Sequence, residues 1–207
     1  MSEEKETLEK IHRIAEQEFL EKGFTGASLR NIVKEAGVTT GAFYGYYRSK
    51  DELFEALVKP HADYIMNYFV KVQNEFSDLS KEDQIAKMSG YNLTFLNDML
   101  EYSYSHLTGM KILLTAATGT KYENMIHEMV EIEIESTHNF MKVMGQMGYK
   151  AKPLNPYFEH IMVSGMFTSY FELIIHDVPY EQAKDCISEM SKFNSAGWAA
   201  CMGMEWL

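Results

Sequence analysis

Two short helical stripes separated by one glycine constrain the fold of this 207-residue chain more than any other feature. The first stripe has apolar residues at i, i+3, i+4 and i+7: Leu29, Ile32, Val33 and Ala36. Ser28 precedes this stripe as a candidate N-cap, and Gly37 follows it. Because glycine adopts positive φ without strain, the pattern predicts a helix of about nine residues, a tight turn and a second helix of about seven.

The rest of the sequence predicts more helices and no sheet. An amphipathic helix is expected over residues 6–22, ending at Gly23, and a long fourth helix is expected to begin at the Ser49 cap. Pro60 lies inside that fourth helix and is predicted to kink or break it. Later helices are expected near 81–98, 101–118, 122–147, 156–176 and 180–203. With only 4 prolines and no long alternating runs of Val, Ile and Thr, the chain is predicted to be all-α, with about nine helices.

Composition narrows the class of protein further. Cys186 and Cys201 are too few for a disulfide scaffold, and the charged N-terminus lacks the apolar core of a signal peptide. The most apolar stretch, 160–175, is short and contains polar residues, so we expect a buried or interface helix and no membrane contact. These features predict a cytoplasmic protein.

Charge is distributed unevenly along the chain. The formal net charge is −11, yet residues 28–50 carry four cations and one anion, and residues 60–207 carry 10 cations and 19 anions. A basic segment on an acidic body can concentrate a nucleic-acid site locally. The cations of the basic segment are Arg30, Lys34, Arg48 and Lys50.

The second short helix divides by face at helical spacing. Val38, Phe43 and Tyr47 are expected to pack inward, while Thr39, Thr40 and Tyr44 project outward. In a helix-turn-helix the outward face of the second helix enters the DNA major groove. An aromatic stripe on an ordinary three-helix core is the structural alternative.

The stretch "SLRNIVKEAGVTTGAFYGYYRSKDEL" resembles the DNA-binding signature of the Tet repressor (TetR) family. The likeness covers about residues 5–65. The matching residues are Ser28, Ile32, Ala36, Gly37, Val38, Thr39, Gly41, Tyr44, Tyr46, Ser49, Lys50 and Leu53. Val33, Phe43 and Tyr47 depart conservatively from the usual Ala, Leu and Phe of that signature.

The resemblance implies a role for each matching position. Thr39, Thr40 and Ala42 would meet base edges, and Gly41 would approach the sugar–phosphate backbone. Phosphate contacts would come from Ser28, Arg30, Tyr44, Tyr46 and Lys50. It also implies a helix-turn-helix domain over 1–59, with the motif at about 28–47, and a larger ligand-binding and dimerisation domain over 60–207.

Residues 60–207 show no catalytic, P-loop or dinucleotide signature, so no catalytic residue, no cofactor and no enzyme activity are predicted. Glu123 and His127 lie one turn apart, and Glu135 and His138 form a lone E-x-x-H. A di-iron bundle needs a second E-x-x-H and further glutamates, so no metal site is predicted.

The C-terminal region is rich in Met and aromatic residues, which suit either a core or a hydrophobic ligand cavity. The candidate pocket residues are Tyr64, Tyr68, Tyr91, Phe95, Met99, Tyr102, His106, Met110, Met125 and His127. In the TetR family the last two helices of each subunit form a dimer interface. The candidate interface residues are Phe158, Met162, Gly165, Met166, Ser169, Ile187, Met190, Phe193 and Gly197.

The sequence therefore predicts a homodimeric, ligand-responsive DNA-binding regulator, a repressor released from a palindromic double-stranded DNA operator by a small hydrophobic or aromatic inducer. Two alternatives remain open. One is an all-α enzyme or metal-binding protein whose N-terminal helices are structural. The other is a helical dimer that binds a small molecule or another protein but no DNA.

Overall fold

The computed structural model describes the backbone of residues 3–203 and the side chains of 4–87 and 93–203. Every regular element in this part of the chain is an α-helix, which confirms the predicted all-α class. The helices are α1 (Glu3–Gly26), α2 (Leu29–Glu35), α3 (Thr40–Tyr46), α4 (Lys50–Ser77), α5 (Lys81–Ser105), α6 (Leu107–Thr115), α7 (Met125–Gln146), α8 (Pro156–Ile175) and α9 (Tyr180–Met202).

Some helix boundaries differ from those expected. Helical geometry in α1 is interrupted at Gly23, with φ 66°, where the sequence predicted its end. A kink or a break was expected at Pro60. The break is wrong, because α4 continues through it, and the kink stays a prediction. Proline removes one backbone hydrogen bond, and Val58, Ala62 and Ile65 are buried on both sides of it, so packing holds the helix together. The break expected near residue 99 lies instead at His106, the N-cap residue of α6.

The helices pack into two compact units. Unit 1 comprises Met1–Tyr64 and His106–Asn124, and unit 2 comprises Ile65–Ser105 and Met125–Leu207. Helix α6 therefore packs with the N-terminal helices, and α4 contributes residues to both units. The functional division at residue 59 stays a prediction.

The core of unit 1 is built around three phenylalanines. The rings of Phe19 and Phe54 meet edge to face with centroids 5.0 Å apart, and Phe24 lies 5.1 Å from Phe54. Phe24 also ties α1 to the end of α6, since its backbone N–H donates to the carbonyl of Ala116 at 2.9 Å. Such ring pairs contribute about 1 kcal/mol each beyond the area that they bury.

A buried carboxylate joins α1 to the start of α2. Glu18 is only 4% exposed, and its oxygens accept from Lys22 Nζ, the Ser28 N–H and Asn31 Nδ2 at 2.7–3.0 Å. Burial alone would raise the pKa of this carboxyl, but the three hydrogen-bonded groups outweigh burial and lower the pKa. The carboxylate therefore stabilises the entry to α2 in its charged form.

Aromatic and aliphatic side chains of α4, α5, α7, α8 and α9 are buried in unit 2. Tyr170, Phe167 and Phe171 on α8 are almost completely buried. The hydroxyl of Tyr104 on α5 donates to the backbone carbonyl of Val178, which fixes the loop between α8 and α9. No helix within residues 3–203 combines the length and apolar character needed to span a bilayer.

Replacing Glu18 by Gln should lower the free energy of unfolding by about 2 kcal/mol near neutral pH, because a buried charge-assisted network loses its acceptor. A carboxyl with a lowered folded pKa stabilises the fold above its unfolded pKa, and the effect is lost as pH falls through the folded pKa. Urea unfolding should therefore give a wild-type advantage that shrinks below about pH 4.5. Glu21→Gln, an exposed change on α1, is the control; an advantage independent of pH would contradict this assignment.

Candidate nucleic-acid interface and ligand cavity

The turn between α2 and α3 depends on one glycine. Gly37 has φ 67°, a conformation that L side chains rarely adopt. Ala36 caps the end of α2, and Thr39 caps the start of α3, where its Oγ1 accepts from the Ala42 N–H at 3.1 Å. The glycine thus lets the chain turn within the four residues between α2 and α3, and the Thr39 cap fixes where α3 begins.

Helix α3 has one buried face and one exposed face. Phe43 is fully buried and contacts the half-buried Tyr47, whose hydroxyl forms a hydrogen bond with His12 Nε2. Tyr44 is 53% exposed. The other exposed residues of this face are Thr39, Thr40, Gly41, Ala42 and Gly45. A short, uncharged surface with two threonines and two glycines is therefore presented to solvent.

Several predicted DNA contacts already have partners inside the protein. Ser28 Oγ accepts from the Asn31 N–H at 3.3 Å as the N-cap of α2, in the same way that Thr39 caps α3. The hydroxyl of Tyr46 donates to the Glu4 carbonyl at 3.1 Å. Arg30 is exposed on α2. Among these positions, the side chains of Thr40, Tyr44 and Arg30 are exposed and have no hydrogen bond within the described residues.

Lys50 has a structural role that spacing alone did not indicate. Its Nζ donates to the Phe24 carbonyl at 2.6 Å and to the Ala27 carbonyl at 2.9 Å, and it lies 4.5 Å from the centroid of the Phe24 ring. The cation therefore closes the end of α1 against the start of α4. A phosphate contact by Lys50 would have to share this charge with two carbonyls.

Unit 2 contains a cavity of about 170 Å³ lined by residues of α4, α5, α7, α8 and α9. Its walls are mostly apolar and include five aromatic side chains: Phe76, Phe95, Phe140, Phe167 and Trp198. The polar groups of the lining include Gln73, Glu133, Ser136 and Asn194. An apolar cavity of about 150 Å³ already accommodates a benzene ring, so a small ring-containing ligand fits here.

Most residues predicted to line a pocket lie elsewhere. Phe95 lines the cavity, whereas Met99, Met110 and Met125 are buried in the cores and fill packing space. Tyr64, Tyr68, Tyr102, His106 and His127 are not among the described lining residues, and the side chain of Tyr91 lies outside the described part. The sequence could have indicated α9, because Ser191, Asn194, Ser195 and Trp198 follow one another at helical spacing along it.

One cluster of possible metal ligands appears among the described residues. His127 and Glu131 on α7 and His160 on α8 bring one ligand atom each to within 4.8 Å of one another. His160 Nδ1 lies 3.4 Å from Glu131 Oε1, and all three groups are accessible to solvent. This arrangement differs from the 123/127 and 135/138 pairs considered from the sequence, and the predicted absence of a metal site stays a prediction.

The predicted dimer residues fall into two groups. Phe158, Met162 and Phe193 are exposed by 39%, 37% and 73%, and Gly165, Ser169 and Gly197 are also exposed. Ile187 is fully buried within unit 2, Met166 lines the cavity, and Met190 is half-buried. Tyr157, which was not predicted, and Ile161, which lies in the predicted apolar stripe of this helix, are 82% and 65% exposed on α8.

Comparison with known proteins gives different results for the N-terminal segment and for the rest of the chain. Residues 11–57, from α1 into α4, match the sequence model described as "Bacterial regulatory proteins, tetR family". This N-terminal segment is similar to the DNA-binding segment of TetR-family regulators. The HTH-type transcriptional repressor NemR of Escherichia coli (strain K12) is 40% identical over 58 residues, which are 28% of this chain and 29% of NemR. The alignment thus spans less than a third of that relative's length.

Solved structures extend the likeness of fold to the rest of the chain. A TetR transcriptional regulator family member from Streptomyces coelicolor A3 superposes with a TM-score of 0.55 at 16% identity, covering 94% of this chain and 90% of its own. GusR of Salmonella enterica gives 0.53 at 14% identity, covering 98% of both chains. At these identities the likeness concerns the fold.

Replacing Lys50 by Met should lower the free energy of unfolding by about 1 kcal/mol, because the carbonyls of Phe24 and Ala27 lose a cationic donor while the aliphatic stem is kept. Urea unfolding monitored by circular dichroism measures the change. Lys34→Met, at a highly exposed position on α2, is the matched control and should change stability by less than about 0.5 kcal/mol. Equal effects of the two substitutions would contradict a structural role for Lys50.

Proposed function

We propose that this chain is a homodimeric, ligand-responsive transcription factor that represses genes by binding a palindromic DNA operator in the cytoplasm. A small hydrophobic or aromatic ligand in unit 2 releases it. The observation that most supports DNA binding is the exposed face of α3, which lies beside the completely buried Phe43. Repression is extended to this chain from NemR, the relative that is named a repressor.

The surface of α3 suits the major groove. Thr40 offers a hydroxyl and a methyl group, and Tyr44 offers a phenol that is 53% exposed. Short hydroxyl-bearing side chains and methyl groups read base edges, and the thymine methyl packs against apolar groups. No Cβ clash occurs at Gly41, whose surroundings are open to 4 Å, so its lack of a side chain is not needed for folding. Close approach of DNA explains a glycine at this position.

The distribution of charge along the chain also supports DNA binding at the surface of α3. Residues 28–50 are locally basic, whereas the chain from residue 60 onward is acidic. Phosphates would therefore be attracted to the segment that contains α2 and α3 and repelled by the remaining surface. Affinity for DNA should fall steeply with salt, since binding to phosphates releases counterions.

Dimerisation would use the exposed apolar surface of α8 and α9. Tyr157, Ile161 and Phe193 are 82%, 65% and 73% exposed, and large apolar side chains in such a patch favour a protein interface. A two-fold dimer presents two copies of α3 to two half-sites of a palindrome.

Because α4 is one continuous helix, it would transmit the effect of a bound ligand along its length. Its Val72, Gln73 and Phe76 line the cavity, and Lys50 at its other end closes α1. A ligand that prefers one position of α4 would shift the population toward it, by no more than its differential affinity for the two states. Pro60, which lacks one helical hydrogen bond, is the proposed pivot.

Replacing Gly41 by Ala should leave the free protein as stable as wild type or slightly more so, because alanine favours helices and meets open space there. Operator affinity should nevertheless fall by at least about tenfold, since the added methyl group meets the DNA backbone. Tyr44→Ala should weaken binding similarly. Fluorescence anisotropy on the duplex upstream of the protein's own gene measures both.

Gly145→Ala on α7 is the matched control, because its Cβ also meets open space and it lies outside α3. It should bind DNA as wild type does. If Gly41→Ala and Tyr44→Ala both retained full affinity, the DNA-binding assignment would be wrong. A protein that binds no duplex at all, yet dimerises and binds small molecules, would favour the alternative without DNA binding.

Replacing Ile161 by Asp should convert the dimer into a monomer, because a charge on a buried interface is costly to desolvate. Light scattering after size exclusion measures the mass, and the monomer should bind the palindrome at least about tenfold more weakly. Val70→Asp, at a 38% exposed apolar position on α4, is the control and should remain dimeric. A dimer unaffected by Ile161→Asp would place the interface elsewhere.

A further inference from the structure

Among the residues that the structure describes, the cavity of unit 2 is lined by a single charged group. Among its described lining residues, Glu133 on α7 is the only ionisable side chain, and Lys, Arg and His are absent from the lining. The rest of the lining supplies apolar, hydroxyl and amide groups. Any electrostatic selectivity of this cavity among ligands therefore depends on one carboxyl group.

Glu133 is held in place by an amide rather than by a cation. Its Oε2 accepts from Gln73 Nε2 at 2.6 Å, and Gln73 Oε1 in turn accepts from Ser136 Oγ at 2.6 Å. This chain of hydrogen bonds fixes the orientation of the Gln73 amide and leaves the carboxylate without an ion pair to any described residue. Burial raises the pKa of the Glu133 carboxyl, and the Gln73 hydrogen bond lowers it by less.

Aromatic groups complete the surroundings of this carboxyl. Phe76, Phe140 and Trp198 line the same cavity from three different helices. The negative faces of aromatic rings attract cations, most strongly where water is excluded. Glu133 is half-buried, and burial without a cationic partner disfavours its charged form, so a bound cation would relieve part of that cost.

We propose that the cavity binds a hydrophobic organic cation, such as an aryl- or alkyl-substituted ammonium, with its positive centre at the Glu133 carboxylate and its apolar part against the aromatic wall. This rests on the proposed function, in which the cavity is the ligand site. Neutral molecules of the same shape lack the charge interaction, and anions meet a carboxylate with no compensating base.

The proposal implies a dependence on pH with a definite sign. A carboxyl whose pKa is raised is partly protonated in the empty cavity at low pH, so a cation must displace the proton to bind. Affinity for a permanently charged cation should rise with pH through the raised pKa and then level off. The described lining contributed by α4, α5, α8 and α9 contains no other titratable group.

The test compares three probes of similar shape on the full-length protein: benzyltrimethylammonium, its neutral isostere neopentylbenzene, and 3-phenylpropionate as an anion. Isothermal titration and tryptophan fluorescence both report binding, since Trp198 lies in the lining. Wild type should prefer the cation to the neutral probe by at least about tenfold. Glu133→Gln should abolish this preference, and Glu133→Asp should keep it.

Glu135→Gln is the matched control, because Glu135 lies on the same helix but is exposed. This variant should prefer the cation to the neutral probe as strongly as wild type does. Circular dichroism checks that each variant is folded; if Glu133→Gln does not fold, the probe preference and its pH dependence in wild type decide. Equal binding of the cation and its neutral isostere by wild type, preferred binding of the anion, or binding of no probe would overturn the proposal.

Operator binding, measured separately by anisotropy with and without each probe, distinguishes the two proposals. If the cation binds through Glu133 but the protein binds no DNA, the cation site stands and the regulator assignment fails. If DNA binding is present and the neutral probe releases it as well as the cation does, the regulator assignment stands and the cation site fails.

Discussion

The burial of Phe43 is the constraint on which the candidate DNA-binding surface depends. Because this ring is completely buried, α3 can have only one rotational setting about its axis. Thr40, Gly41 and Tyr44 then face solvent. Gly37 sets the direction of α3 through its positive φ, and the Thr39 cap sets its first residue. The surface is thus specified by packing beneath it rather than by interactions among the exposed residues.

Polar groups that look like DNA ligands from the sequence also hold unit 1 together. Ser28 and Thr39 cap helices, and Lys50 bonds two carbonyls at the end of α1. Glu18 accepts from the first residues of α2 in the same region. Loss of DNA binding in variants of these residues would therefore combine a stability effect with a contact effect, whereas Gly41 and Tyr44 report contact more directly.

The two units use aromatic residues differently. In unit 1 the rings of Phe19, Phe24 and Phe54 meet one another and close the core. In unit 2 some rings leave a space in which Glu133 is the single acid among the described lining residues. The Met and aromatic residues of the C-terminal region were expected near a possible cavity, but composition does not distinguish a side chain that fills a core from one that borders a void. That difference depends on which helices meet and at what distance.

The sequence by itself determined the all-α class, the glycine turn and the division of α3 into faces, because helical periodicity and the φ freedom of glycine act over a few neighbouring residues. It also placed the starts of α8 and α9, where Pro156 and Pro179 mark local boundaries. Only the tertiary structure decided that α4 continues through Pro60, that Lys50 closes α1, and that α9 lines the cavity with Ser191 and Trp198. These outcomes depend on contacts between residues distant in sequence, and no local pattern encodes which helix will pack against which.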